Sequence, residues 1–333
     1  MTSTVTGTAC GTVEIAVPGP FDLAAAAGFL EGFAPAARPD AAEEPGTLRL
    51  AFPLSGEWVH TGVRVRQRAP GVVEVSVVGG EGEVAEAARQ VARILSLDVD
   101  GAAFPAVGER DPVVGALQSR YPGLRPVLFT SPYEAACWAI IGQRVRFTQA
   151  AVFKQRIAER HGRRLEVDGR ALWSFPAPAE LLAMPAPSWL PEIKVDRLRV
   201  VAQAALDGLL DPVSLRAMEP EDALDALQAL PGIGAFSAQL VLIRGAGHPD
   251  VFPADERHLL ETMRRAYDRP AASTAELAAI AEEWSPYRSW VALLFRVARD
   301  RGPIPPPPAD GQPSDVGPIS PPTAEGPTTT EAA

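Results

Sequence analysis

The sequence contains few of the residues that build metal centres or covalent cross-links. Cysteine occurs only at Cys10 and Cys137, which is too few for a disulfide framework or for a four-cysteine zinc or iron-sulfur site. The four histidines are scattered along the chain, and none lies near a cysteine or another histidine at metal-ligand spacing. We therefore expect no metal held by side chains and no bound cofactor.

Long apolar stretches are also missing. No run of about 18 apolar residues occurs, which is the length that a membrane-spanning helix needs. The N-terminus lacks a basic segment followed by an apolar core, the pattern of a signal peptide. We expect no membrane partner and a location in the cytoplasm.

Basic residues are in the minority, with 31 Lys and Arg against 41 Asp and Glu and a formal net charge of −10. This balance argues against a nucleic-acid partner, because phosphate binding is driven by basic side chains. The segment from Arg144 to Arg170, however, carries eight basic residues against three acids. This local positive patch fits a phosphate-binding surface or an ordinary solvated helix face equally well.

The length of 333 residues predicts more than one compact domain. Short β-branched stretches with alternating polarity predict strands at residues 11–17, 47–52, 63–67 and 72–78. Apolar residues at helical spacing predict helices at 21–33 and 84–95. We therefore expect residues 1–105 to form an α+β domain with helices packed on an antiparallel sheet.

From about Asp111 the pattern predicts helices alone, so residues 106–301 are expected to form an all-α domain. Ser131, Pro132 and Glu134 provide an N-cap, a first-turn proline and a reciprocal acceptor for a helix to Ile141. Residues 302–333 are rich in proline, threonine and serine, and they should form a disordered tail. Further helices are predicted at 147–160, 178–184, 195–206, 221–230, 235–244, 257–267, 274–283 and 287–299.

One segment indicates a helical hairpin that binds phosphate. It reads Leu230-Pro231-Gly232-Ile233-Gly234-Ala235-Phe236-Ser237-Ala238. The two glycines suit a tight turn with positive φ and close backbone approach, and a new helix starts at once. Free N–H groups at a helix start can hold a phosphate without side-chain charge. An ordinary corner between two helices is the alternative for this motif alone.

A pair of acids follows about twenty residues later, in Asp250-Val251-Phe252-Pro253-Ala254-Asp255-Glu256-Arg257-His258-Leu259. Asp255 and Glu256 precede a predicted helix, whose dipole favours ionised carboxylates. One of them could stabilise positive charge that develops on a deoxyribose as its base departs, and could orient water. Simple capping of the helix is the alternative.

In this order, the motifs resemble the helix-hairpin-helix glycosylase superfamily, and specifically the bacterial 3-methyladenine DNA glycosylase II family. The resemblance covers most of the chain from Val13 to Arg301. It also includes two further segments, Ala139-Ile140-Ile141-Gly142-Gln143 and Trp284-Ser285-Pro286-Tyr287-Arg288-Ser289. It implies a hairpin that clamps double-stranded DNA, often with a monovalent cation on backbone carbonyls, and flipping of the damaged base into a cleft.

The resemblance places Phe236 where bifunctional relatives carry a Schiff-base lysine, which implies a monofunctional mechanism that uses water. The family's catalytic aspartate falls on Glu256, whose side chain is longer, so Asp255 one position earlier stays an alternative. The apolar wedge of the family falls on Arg144, which could fill the gap in the stack or contact a phosphate.

Two pocket aromatics of the family fall on Leu240 and Arg296. Trp138, Trp284, Tyr287 and Trp290 could replace them in a base pocket, although packing in the core explains each of them as well. The expected DNA-binding residues are Gly232, Ile233, Gly234, Phe236, Ser237, Gln143 and Arg144.

The sequence therefore predicts a monomeric, nucleoid-associated glycosylase that excises alkylated purines from damaged duplex DNA. A protein of the same fold that binds damage without cleaving is the second hypothesis, because the active-site positions differ from the family. An unrelated helical interaction protein is the third, and it requires the hairpin and the paired acids to be coincidental.

Overall fold

A computed structural model describes residues 11–33 and 41–300. The predicted tail at 302–333 lies outside the described residues, and so does Cys10. Among the described residues, no helix combines the length and the apolar character that crossing a membrane requires.

The N-terminal region contains the predicted antiparallel sheet. Its strands are β1 (Gly11–Ala16), β2 (Thr47–Pro53), β3 (His60–Ala69) and β4 (Val72–Gly80), in the order β1-β4-β3-β2. The β3–β4 pairing places Val63 opposite Val77 and Val65 opposite Val75, and all four side chains are fully buried. Helices α1 (Leu23–Gly32) and α2 (Val84–Ile94) pack on this sheet. The predicted strands and helices of this region are confirmed.

The prediction of helices alone after Asp111 is wrong at one place. Strands β5 (Arg163–Val167) and β6 (Arg170–Ser174) form an antiparallel hairpin that contacts β2, β3 and β4. Its turn is Asp168-Gly169, and both residues have positive φ, of 54° and 76°. An Asp-Gly pair in this conformation is a strong signal for a two-residue hairpin turn, so the sequence did contain the information.

The remainder of the described chain is helical, and the predicted helices are present within a few residues of their expected ends. Three short helices, at Pro105–Arg110, Pro112–Arg120 and Pro212–Ala217, were not predicted. The helices are α3 (Pro105–Arg110), α4 (Pro112–Arg120), α5 (Pro132–Ile141), α6 (Phe147–His161), α7 (Pro178–Leu182), α8 (Glu192–Leu206), α9 (Pro212–Ala217), α10 (Pro220–Gln228), α11 (Ala235–Leu240), α12 (Arg257–Ala266), α13 (Thr274–Ala281) and α14 (Arg288–Asp300).

The segment predicted as one α-helix at 235–244 changes from α-helical to π-helical geometry. Helix α11 passes directly into a π-helical segment, Val241–Ala246, which ends at Gly247 with φ of 84°. π-helical turns are rare and occur often at functional sites, because the wider turn redirects the side chains that it carries. Arg244 lies in this segment.

Helix α5 begins as predicted, but its first-turn acid has another role. Ser131 caps the helix by accepting the Glu134 backbone N–H at 3.1 Å. The Glu134 carboxylate turns to Thr130 and to Lys154, whose Nζ lies 2.5 Å from it. Burial alone would raise the pKa of Glu134, but the Lys154 charge and the hydrogen bonds of Lys154 and Thr130 hold that pKa below its usual value. The predicted reciprocal cap is therefore replaced by a buried ion pair.

Most buried apolar side chains of the described residues form one large cluster, which extends from Val17 to Ala298, and a smaller cluster joins Val78 to Leu165, Val167 and Leu172 of the β5–β6 hairpin. Sheet and helices therefore share a continuous apolar interior. The division into two domains near residue 105 stays a prediction.

Candidate functional site

The glycine hairpin joins α10 to α11 and has one strained position. Gly232 has φ of +89°, a conformation that favours glycine. A Cβ atom there would lie 2.8 Å from Cδ of Arg197 and 3.0 Å from Cδ1 of Ile140. Gly234 has an extended backbone, with φ of −93° and ψ of −179°, so the expectation that both glycines need positive φ is wrong.

The start of α11 offers backbone donors to solvent. Gly234 is the N-cap residue and has no side chain to cap the helix, and both Gly234 and Ala235 are exposed. A Cβ at Gly234 would meet no protein atom within 4 Å. The first N–H groups of a helix have no partner inside it, so this end can accept an anion that approaches closely.

The other predicted hairpin residues differ in exposure. Ile233 is buried, and its side chain anchors the turn in the core rather than facing a ligand. Phe236 is 51% exposed, and Ser237 is half-buried. Only part of the predicted DNA-binding set therefore reaches the surface through its side chains.

Gln143 braces the hairpin from the end of α5. Its Nε2 donates to the Gly232 carbonyl at 2.5 Å, and its Oε1 accepts from Arg197 at 2.7 Å. Lys194 donates to the backbone carbonyls of Ile141 and Gln143 at 2.8 and 2.7 Å, and burial lowers the pKa of Lys194. In this arrangement the Gln143 side chain is already occupied by protein partners.

Arg144 follows at the tip of the loop between α5 and α6. It is exposed and has φ of +55°, which is uncommon for a residue other than glycine. Such backbone strain occurs often at functional positions. Phe147 at the start of α6 is 56% exposed and packs edge-on against the buried ring of Trp138, at 5.5 Å between ring centres. The loop therefore presents an arginine and an aromatic ring beside the hairpin.

A surface cleft lies beside the hairpin, between three elements. These are α11 with its π-helical continuation, the linker into α12, and α14. We call it the Glu256 cleft, and the lining residues that matter below are Phe236, Leu240, Arg244, Glu256, Ser289 and Arg296.

Of the two candidate acids, only Glu256 lines this cleft. Glu256 is half-buried, and its carboxylate caps α12 by accepting the N–H groups of His258 and Leu259 at 3.1 and 2.9 Å. Asp255 is exposed, and its backbone N–H donates to Gln239 at 3.3 Å. Glu256 therefore both caps α12 and lines the cleft, and the capping hydrogen bonds fix the direction of its side chain.

The linker that carries Glu256 is tied to α14. Asp250 accepts hydrogen bonds from Ser285 Oγ at 2.8 Å and from the Arg288 backbone N–H at 3.1 Å. Ser289 Oγ accepts from the Val251 N–H and donates to the Val251 carbonyl. The two sequence motifs around residues 250 and 285 are thus one structural unit. Sequence reasoning missed Asp250 as a positioning residue, although it begins the motif.

Three of the predicted pocket aromatics lie in the core and do not line the cleft. The Trp284 side chain is fully buried and donates to Asp111 at 2.9 Å. Tyr287 donates to the Asp100 carbonyl at 2.5 Å and packs against Trp290. Their assignment to a base pocket is therefore corrected.

Trp138, the fourth candidate, is 4% exposed and is not part of the cleft wall either. In place of these rings the cleft is lined by Phe236, Leu240 and Arg296. It also has Arg244, which sequence reasoning missed because nothing in its surroundings along the chain distinguishes it from other helical arginines. These side chains make the cleft partly apolar and partly basic.

No protein-family model matches the chain. It is 29% identical over 210 residues to the DNA-3-methyladenine glycosylase of Bacillus subtilis, covering 60% of this chain and 68% of that protein. It is 32% identical over 184 residues to DNA-3-methyladenine glycosylase 2 of Escherichia coli, covering 54% of this chain and 62% of that protein.

The fold is similar to that of the solved 3-methyladenine DNA-glycosylase from Archaeoglobus fulgidus, with a TM-score of 0.69 and 22% identity over 87% of this chain and 98% of that one. An 8-oxoguanine glycosylase/lyase of Clostridium acetobutylicum, solved with double-stranded DNA, matches with a TM-score of 0.56. It is 18% identical in sequence, and the match covers 74% of this chain and 86% of that one. With the hairpin and the acid pair, these comparisons show that the chain is similar in sequence to bacterial DNA-3-methyladenine glycosylases and shares the fold of solved DNA glycosylases.

Proposed function

We propose that this protein is a monofunctional DNA glycosylase of base excision repair, which removes alkylated purines of the 3-methyladenine type from duplex DNA. The observation that carries the proposal is the position of Glu256 in a cleft beside an exposed helix start at Gly234. The sequence relatives are named as glycosylases, which favours the enzyme over a non-cleaving damage-binding protein of this fold.

Binding begins at the hairpin in this proposal. A DNA phosphate would sit on the free N–H groups after Gly234, where the helix dipole favours an anion. The target base cannot be reached inside the stack, so it must rotate out into the Glu256 cleft. The exposed Arg144 would enter the gap that the base leaves, since its planar guanidinium can stack between neighbouring bases.

The chemical step is hydrolysis of the N-glycosidic bond. The bond between the base nitrogen and C1′ breaks, and its electron pair leaves with the base. Glu256 stabilises the positive charge that develops on the sugar, and it accepts a proton from the water whose oxygen bonds to C1′. Because an alkylated purine of this type is cationic in the nucleoside, it departs as a neutral base, and Glu256 passes the proton on to solvent; the products are an abasic site, a free base and a proton.

The lysines support a mechanism without a Schiff base. The sequence contains only Lys154 and Lys194. Lys154 is paired with the buried Glu134, and Lys194 is held by two carbonyls at the end of α5. Neither amine lines the Glu256 cleft, and the position at which bifunctional relatives carry a Schiff-base lysine holds Phe236. Water is therefore the nucleophile in this proposal.

Two matched variants test the assignment of the acid. Glu256→Gln keeps one oxygen that can cap α12 but removes the charge, and we expect single-turnover release of 3-methyladenine to fall at least about a hundredfold. Asp255→Asn is the control, with release expected to stay within about threefold. Both variants should bind damaged duplex as the wild type does.

The opposite pattern, with Asp255→Asn losing release, would move the catalytic role to Asp255. Tight binding of damaged DNA by the wild type without any release would support the damage-binding alternative.

Several finer features belong to the same proposal. The carbonyls of Pro231 and Ile233 accept no hydrogen bond from the described residues, so they fit a monovalent cation that would stabilise the turn and the bound phosphate. We further propose that the protein acts as a monomer at the nucleoid in the cytoplasm. Residues 1–105 and 106–301 would act as two lobes.

A further inference from the structure

One exposed aromatic ring near the hairpin has no part in the mechanism above. Phe147, the first residue of α6, is 56% exposed. Among the described residues, Phe236 is the only other aromatic side chain that is exposed rather than buried or half-buried. Phe236 lines the Glu256 cleft, whereas Phe147 does not. Single exposed apolar side chains are common on protein surfaces, so the position and the neighbours of Phe147 must decide what it does.

The position of Phe147 is next to the loop that braces the hairpin. Gln143 donates to the Gly232 carbonyl, Arg144 follows with its positive φ, and Phe147 comes three residues later. Three residues span at most about 11 Å of extended chain, so DNA that Arg144 enters is also within reach of Phe147. The ring packs edge-on against the buried Trp138 at 5.5 Å between ring centres. Trp138 therefore supports the ring, and more than half of its surface stays in solvent.

The neighbours of Phe147 suit a nucleic acid. Arg144 and Arg146 are exposed, and neither forms an ion pair with any part of the chain that the structure describes. The sequence has no acidic residue from 135 to 158. The acids that flank this range are bonded within the protein, Glu134 to Lys154 and Glu159 to Gln155. An exposed ring beside free cations is the combination on which single bases stack while the cations contact phosphates.

Base flipping leaves one base that no other part of the proposed mechanism supports. The damaged base lies in the Glu256 cleft, and Arg144 fills the gap that it leaves in its own strand. The opposite base has lost its pairing partner but stays in the duplex. Aromatic rings that insert at a distorted base step stabilise the distortion by stacking. Because Phe147 lies outside the cleft and beside Arg144, this unpaired base is the one that its ring can meet.

We propose that Phe147 stacks on the unpaired base opposite the lesion and so holds the second strand while the damaged base is in the cleft. The proposal rests on the glycosylase function above and adds a contact with the undamaged strand of the same duplex. Phe147 touches no reacting atom and is a positioning residue, which raises the share of complexes in which the base is flipped. Every base has a π face, so the contact should tolerate any opposite base.

A thermodynamic cycle between the protein and the DNA tests this contact. Binding of the wild type and of Phe147→Ala is measured by fluorescence anisotropy on two duplexes. One has an abasic site opposite thymine, and the other has an abasic site opposite a second abasic site. We expect Phe147→Ala to lose at least about tenfold in affinity on the first duplex and less than about threefold on the second, which has no base to stack on.

Two further variants separate stacking from folding. Val152→Ala is the matched control, because it shortens another exposed apolar side chain of α6, and it should bind both duplexes as the wild type does. Phe147→Tyr keeps the ring and should also bind as the wild type does. If uncovering Trp138 unfolds Phe147→Ala, the cycle is measured with Phe147→Leu, which keeps an apolar cover but has no aromatic face.

An equal loss of affinity on both duplexes would overturn the inference, because the ring would then act on something other than the opposite base. No loss on either duplex would overturn it as well. Both results leave the proposed function standing as long as base release depends on Glu256. Failure of the wild type to release any base would count against the proposed function alone, since the cycle uses DNA from which no base has to be released.

Discussion

Replacing Gly232 with alanine should destabilise the protein strongly. The new residue would keep φ near +89°, which costs an L-residue about 1–2 kcal/mol. Its Cβ would lie 2.8 Å from Arg197, which cannot move aside without losing its hydrogen bond to Gln143. Such overpacking adds about 1–3 kcal/mol. We expect the free energy of unfolding to fall by about 2–5 kcal/mol, measured by urea denaturation at 25 °C.

Gly234→Ala is the matched control, because it separates folding from DNA binding. Its backbone is extended and a Cβ would meet no protein atom within 4 Å. The loss of stability should therefore stay below about 1 kcal/mol, the scale of an N-cap change. The same methyl group would occupy the space in which a phosphate approaches the backbone, and loss of a charged hydrogen bond should weaken DNA binding at least about tenfold.

Fluorescence anisotropy with a labelled abasic-site duplex measures this affinity. If Gly234→Ala binds as tightly as the wild type, the hairpin is not a phosphate site, whatever the stability of Gly232→Ala.

Three further outcomes follow from the contacts. Arg144→Gly should change the free energy of unfolding by less than about 1 kcal/mol, because glycine readily adopts the positive φ of this position. If the Arg144 side chain fills the gap in the base stack, the same substitution should slow single-turnover base release at least about tenfold. Unchanged release would contradict that role. Lys154→Met leaves the buried Glu134 carboxylate without its cationic partner, and it should lower the free energy of unfolding by about 3–5 kcal/mol at pH 7. Because the pKa of the Glu134 carboxyl is lowered in the wild type, its contribution to the free energy of unfolding is present above about pH 4.5 and is lost on further acidification. Denaturation curves of the two proteins should therefore converge in acid. Asp250→Ala removes the acceptor that ties the Glu256 linker to α14, and it should reduce base release without changing the affinity for undamaged duplex; an equal loss of both would indicate general unfolding.

Local chemistry explains why much of the fold could be predicted. The strands of the first sheet, the Ser131 cap of α5 and the turn at Gly232 depend on residues within a few positions of each other. The Asp168-Gly169 turn belongs to the same class, and it was missed because the strands that it joins are short. The change from α11 to a π-helical segment has no comparable local signal, since no proline or glycine stands at the point where it begins.

The roles of the aromatics and of the acids show where prediction fails. Trp284 and Tyr287 have sequence surroundings that suit a pocket, but their polar atoms bind Asp111 and Asp100, which are more than 170 residues away in the chain. Glu256 faces the cleft and Asp255 does not, because the cap of α12 fixes one side chain and leaves the other exposed.

The amino-acid sequence by itself determined the hairpin, the acid pair after it and the order of the helices, because turns, caps and periodicity act between near neighbours. Only the tertiary structure decided which acid lines the cleft and which aromatic rings are buried in the core. It also decided that both Arg244 and Arg296 line the cleft. Those outcomes depend on which distant backbone and side-chain groups satisfy each buried polar atom, and near neighbours in the chain do not carry that information.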